Sequence, residues 1–141
     1  MNPELKEKCE RIIKNDEGFM SNIYRDSRGY LTIGYGFNLE SIEMPKEVAD
    51  LWIKFILDSI EVKLSKLLNF WSDLNDVRKI VLINMAYNMG IDKLLKFNDM
   101  MKALGKKDYI QAEREMDDSL WNKEVPFRAA RLRRMMLSGE F

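Results

Sequence analysis

The sequence predicts an α+β fold, with a small β-hairpin lobe and a larger helical lobe, and three observations carry that prediction. Between Asp16 and Gly36 an aromatic and β-branched run is split by turn residues, which is the pattern of a hairpin. On either side of it apolar residues recur at helical spacing. Proline or a capping residue stands at the start of most of these periodic segments, and glycine at the end of several.

In order, Asn2 and Pro3 read as a cap and a first helical position, and Leu5, Cys9, Ile12 and Ile13 then carry a helix over about 3–17. Gly18 ends it and leaves Glu17 at its C-terminus. Counting by fours from Leu5 through Cys9 and Ile13 reaches Glu17, so this acid is expected on the apolar stripe. The runs Phe19–Tyr24 and Tyr30–Tyr35 predict the hairpin strands, with Asp26 at the bend. Tyr30, Thr32 and Gly34 would share one face of the second strand. Gly34 and Gly36 weaken a strand and mark a bulge, a bend or a close approach to the backbone.

Pro45 opens a long helix to about Asn69, with a break possible near Asp58-Ser59. At about 25 residues it would span roughly 37 Å, enough to join two lobes across a cleft. Asn75 or Ser72 caps the next helix, whose apolar residues lie on more than one face up to Gly90, so it is expected at the centre of the core. Helices over about 91–96 and 98–104 follow, then one from Asp108 to about Trp121, and a last one from Pro126 to about Ser138. The expected division is a single domain over 1–141, with a β-containing lobe at about 18–44, a connecting helix at about 45–69, and a helical lobe of 1–17 and about 60–141. Of the ten methionines, those of the helical half read as filling an irregular core.

The composition narrows the chemistry. A chain of 141 residues, 46% of them apolar, can bury one core. Its 23 basic and 23 acidic residues cancel, which removes the usual electrostatic case for a nucleic-acid or membrane-surface protein. There is no histidine, so Ser-His-Asp and Cys-His nucleophilic sites and histidine-ligated zinc are excluded. The one cysteine, Cys9, has no internal disulfide partner. No apolar run approaches a membrane span, and the charged amino terminus shows no signal peptide. Carboxylate chemistry remains.

The candidate constellation is Glu17, eight residues, Asp26, five residues, Thr32, followed by Ile33-Gly34-Tyr35-Gly36. Singly, each residue has an ordinary reading: a last-turn surface acid, a turn aspartate, a strand threonine. Together, Glu17-Gly18, Tyr24-Arg25-Asp26 and Gly29-Tyr30-Leu31-Thr32-Ile33-Gly34-Tyr35-Gly36 resemble the catalytic pattern of phage-type lysozymes, the T-even phage endolysin family of glycoside hydrolases. The resemblance continues in Asn84-Met85-Ala86-Tyr87-Asn88-Met89-Gly90 and in Trp121, Pro126, Arg128, Arg131 and Gly139, and so covers nearly the whole chain. Phe37 departs from it, standing where members often carry histidine.

The resemblance implies a lysozyme-like fold with an active-site cleft between its lobes, no cofactor and no metal. It also implies hydrolysis of the β-1,4 bond between N-acetylmuramic acid and N-acetylglucosamine of peptidoglycan, with inversion. Glycoside hydrolysis needs one carboxylic acid and one carboxylate. Glu17 is the expected acid, since an apolar stripe and a helix C-terminus both favour its neutral form. Asp26, in a wet turn, would stay ionised as base, and Thr32 would hold the water. Asn38, Tyr87, Asn88, Met100 and Glu115 fall at substrate-contact positions, with Met100 and Glu115 matched in place but not in type. Gly34, Gly36 and Arg128 would support the site, Arg128 by pairing with Glu17. The same resemblance implies a monomer acting at host cell lysis, with no nucleic-acid or stable membrane association. It would be held in the bacterial cytoplasm until a separate hole-forming protein admits it to the periplasm. The competing class is a non-catalytic lysozyme-like or basic-helix binding module, whose best feature is Arg128-Ala129-Ala130-Arg131-Leu132-Arg133-Arg134.

Overall fold

The computed structural model describes residues 1–141 and is α+β: eight helices and one small antiparallel sheet. By contacts the chain divides into two compact units, Met1–Ala49 and Asp50–Phe141. The first helix therefore groups with the strands, whereas the sequence reading grouped it with the later helices. Its last turn lies directly against the sheet: Lys14 reaches the ring of Tyr35, and Glu17 lies on Gly36.

In the first unit, α1 (Pro3–Glu17) begins at Asn2, whose side chain accepts from the Leu5 N–H at 2.8 Å. After Gly18 come β1 (Met20–Arg25), β2 (Leu31–Gly34) and β3 (Phe37–Asn38), in the order β1-β2-β3. Tyr24 opposes Thr32, and Thr32 in turn opposes Asn38. The third strand was not expected. Its two residues have no period to read, and it exists only because the chain reverses at Tyr35-Gly36 and lays Phe37 beside Ile33.

The helix α2 (Lys46–Leu67) is continuous, without a break at Asp58-Ser59, and it buries Ile60 and Leu64. Trp52 and Phe55, on the first half of this helix, are 43% and 66% exposed.

The second unit is built around α3 (Asp76–Met89), which buries Val81, Leu82, Met85 and Ala86, as its apolar faces predicted. Asn75 caps it, accepting from the Arg78 N–H at 3.0 Å. There follow α4 (Ile91–Leu95), α5 (Asn98–Gly105), α6 (Tyr109–Asp117), α7 (Leu120–Glu124) and α8 (Pro126–Ser138). The single helix expected from Asp108 to Trp121 is thus two. Ser119 divides it: its hydroxyl donates back to the Met116 carbonyl at 2.6 Å and accepts from the Asn122 N–H at 3.1 Å, closing one helix and capping the next. Met85, Met100, Met116, Met135 and Met136 are all buried, in keeping with the core role read from their spacing.

Two polar ties hold the helices of this unit in register. Arg133 bridges α8 to α6, pairing with Glu113 at 2.6 Å and with Asp117 at 2.6 Å. Arg78 on α3 donates to the carbonyls of Met136 at 2.9 Å and Leu137 at 3.2 Å, and its guanidinium stacks 3.5 Å from the centre of the Tyr109 ring. These bonds satisfy carbonyls at the end of α8 that have no partner within the helix. Replacing Arg78 with Met keeps much of the stem but removes both bonds, and is expected to lower stability by about 1.5–3 kcal/mol in urea melts.

Candidate active site

The first unit carries the candidate acid, base and threonine on three consecutive pieces of structure. Glu17 is the last residue of α1. Beneath it lies Gly36, at φ +71, a conformation L side chains rarely adopt, in the turn from β2 to β3. A Cβ added at Gly36 would come within 2.9 Å of the Glu17 carboxyl carbon and closer still to Oε2. Gly36 is thus required twice, by the turn and by the carboxylate packed on it. The burial expected for Glu17 is not found: its side chain is exposed, and no residue of α1 is buried. The carboxylate instead lies on the open backbone of Gly36.

Asp26 stands at the start of the hairpin bend. Its Oδ1 accepts from the backbone N–H of Arg28 at 2.9 Å and of Tyr30 at 3.0 Å, while its own N–H donates to the Tyr30 carbonyl at 3.0 Å. Gly29 N–H closes the turn on the Asp26 carbonyl at 2.9 Å. One carboxylate oxygen therefore builds the turn, and Oδ2 has no protein partner.

Thr32 is central in β2, opposed by Tyr24 on one side and Asn38 on the other. It is 2% exposed, and its Oγ1 donates to the Tyr30 carbonyl at 2.8 Å. With its proton so committed, the hydroxyl keeps only acceptor capacity for a further partner. Asn38 accepts from the Glu40 N–H at 3.0 Å through Oδ1, which leaves its amide NH₂ free beside Thr32. Gly34, at φ +68, lies under the ring of Phe37, whose Cδ2 and Cε2 would stand 2.8 Å from an added Cβ.

The other predicted contact residues belong to the second unit. Tyr87 and Asn88 are exposed at the end of α3, and the side-chain Oδ1 of Asn88 accepts from the Trp121 indole N–H at 2.8 Å. Asn88 and Glu115 line one cavity of about 600 Å³, together with Trp121, Lys93, Lys96 and Asp118. Glu115 accepts from the Gln111 amide at 2.6 Å. Lys93 and Lys96 were not singled out in the sequence, since two lysines three apart carry no motif.

Met100 is a correction. It is 0% exposed in the core of this unit, so its side chain offers substrate no surface. Its place on the buried face of α5, beside Ala103 and Leu104, accounts for it. Arg128 is half-buried on α8 and makes no ion pair or side-chain hydrogen bond within its own unit. The arginine-rich stretch is not a uniform basic face, since Arg133 is tied to Glu113 and Asp117. No group of three or more His, Cys, Asp or Glu side chains is placed to hold a metal ion, and no helix is long and apolar enough to cross a membrane.

Glycoside hydrolysis calls for a pair of carboxyl groups, and Glu17 and Asp26 are the pair this unit offers. The chain belongs to the phage lysozyme family, whose model matches residues 14–135 and so takes in every candidate site residue. It is 28% identical over 158 residues to "Probable T4-type lysozyme 1" of Dictyostelium discoideum, covering 91% of this chain and 92% of that protein. "Probable T4-type lysozyme 2" of the same organism is 28% identical, with 86% and 88% covered. The "Pre-baseplate central spike protein Gp5" of Enterobacteria phage T4 is 29% identical over 91% of this chain, which spans 27% of that protein. The fold and the family together make the protein a glycoside hydrolase of the lysozyme type.

The seat of Glu17 on Gly36 yields a direct prediction. Gly36→Ala forces a side chain into the carboxylate and into a positive φ, and should cost about 1–2 kcal/mol of stability. Activity should fall about 100-fold at temperatures where the variant is still folded, because the acid is displaced by the order of an ångström. Thermal melts and wall-turbidity rates measured on the same preparation check both.

Proposed function

We propose that the protein is a muramidase, hydrolysing the β-1,4 bond between N-acetylmuramic acid and N-acetylglucosamine in peptidoglycan with inversion at the anomeric carbon. One observation carries the reading. Within a single small unit, an acid at a helix end rests on a glycine, and a hairpin aspartate keeps one oxygen free of the turn it builds.

In this mechanism Glu17 protonates the leaving glycosidic oxygen, so its proton must be delivered from a fixed position above the β2–β3 turn. Asp26, through the free Oδ2, takes a proton from the attacking water. Thr32 accepts a hydrogen bond from that water through Oγ1, and Asn38, its strand partner, offers an amide donor to the sugar. Inversion requires room for water between sugar and base, with carboxyl groups roughly 6.5–9.5 Å apart. The setting in host cell lysis, with entry to the periplasm through a separate hole-forming protein, is part of the same proposal and rests on the family alone.

The bond is tested by digesting purified peptidoglycan, reducing the products with borohydride and identifying them by mass spectrometry. Muramitol ends are expected, and glucosaminitol ends would overturn the assignment. Proton NMR of the first-formed product should show the α-anomer, and a β-anomer at early times would reject inversion.

Glu17→Gln and Asp26→Asn should each lower kcat by about 10²–10⁴-fold. Asn at position 26 keeps a carbonyl oxygen to accept from Arg28 and Tyr30, so that variant should melt within a few degrees of the parent. Asp26→Ala should lose the turn bonds as well and melt lower. Full activity in either charge-removing variant would reject the acid and base roles.

A further inference from the structure

The turn between β2 and β3 is Gly34-Tyr35-Gly36, and each residue is covered by a different side chain of the same unit. The ring of Phe37 closes over Gly34. Tyr35 packs against Phe19 at 5.4 Å between ring centres, tilted 50°, and against the edge of Phe37 at 6.3 Å and 73°. Both separations lie in the range where aromatic pairs attract beyond simple burial. The ammonium of Lys14 sits 5.3 Å from the centre of the Tyr35 ring, within cation–π reach. Gly36 carries Glu17.

These contacts bracket the acid along the chain. Lys14 precedes Glu17 by one helical turn on the same face of α1. Phe19 follows Glu17 by two residues, and both Lys14 and Phe19 end on Tyr35, the neighbour of Gly36. Glu17 is exposed, so no core packing holds it, and a glutamate so placed would otherwise be free about several side-chain bonds. We propose that Tyr35, with Phe19 and Phe37 against it, is a positioning residue for Glu17: the ring cluster clamps the end of α1 over the β2–β3 turn and so fixes where the acid delivers its proton. Phe37, where the family often carries histidine, does its part by apolar packing, filling the space over Gly34 and meeting the edge of Tyr35. The inference rests on the reading of Glu17 as the acid.

The test is steady-state kinetics on soluble peptidoglycan fragments at a temperature well below each variant's melting point. Tyr35→Leu should lower kcat about tenfold or more with KM within about twofold, since displacement of a reacting group acts on the chemical step. Tyr35→Phe, which keeps the ring, should retain kcat within about twofold. Should Tyr35→Leu fail to fold, Phe19→Leu removes the clamp from the other side and should lower kcat severalfold with KM unchanged. A variant that loses only melting temperature, or that raises KM alone, overturns the proposal, making the rings a hairpin support or a sugar platform respectively. In a Glu17→Gln background, Tyr35→Leu should cause no further loss of residual activity, and an additive loss overturns the proposal likewise. A fully active Glu17→Gln enzyme refutes the acid assignment itself, an outcome separate from any result at Tyr35.

Discussion

The contact of the Glu17 carboxylate with the bare backbone of Gly36 is the constraint on which the first unit depends. It sets how closely the end of α1 can approach the sheet, and that distance decides where Lys14 and Phe19 can reach. With a side chain at Gly36 the Glu17 carboxylate would have to swing out of its present place. Glu17 is exposed, so its neighbours at this turn meet it at the surface rather than by burial.

The second carboxylate is held by a different physical means. Asp26 gives one carboxylate oxygen to backbone N–H groups and so becomes part of the hairpin bend, which restricts its freedom. Thr32 is anchored by its own donation to the Tyr30 carbonyl. Tyr30 therefore connects the two: its N–H meets Asp26 and its C=O meets both the Asp26 N–H and the Thr32 hydroxyl. Backbone groups of Tyr30 thus orient both side chains.

The second unit shows a similar economy in its polar groups. Arg78, Arg133 and Ser119 each satisfy helix ends or tie two helices, and none of them leaves an unpaired charge in the core. In the cavity lined by Asn88 and Glu115, both side chains are held by hydrogen bonds, Asn88 to Trp121 and Glu115 to Gln111.

Much of this was legible in the residues alone. The helix bounds at Pro3, Glu17, Asn75, Gly90 and Pro126 followed from capping chemistry and the fixed φ of proline, which are local effects. Asp26 at a bend and Thr32 and Gly34 on one strand face followed from turn composition and the two-residue period of a strand. What only the tertiary structure decided were matters of contact between segments distant in sequence. Glu17 proved exposed and seated on a glycine nineteen residues later, because a helical stripe says which way a side chain points but not what lies there. The split at Ser119 depended on a hydroxyl choosing two backbone partners, β3 on a two-residue pairing with no period of its own, and the burial of Met100 on which face of α5 its neighbours cover. Local sequence governs torsion angles and hydrogen-bonding habits, whereas burial and the meeting of rings and carboxylates depend on packing, to which every segment contributes at once.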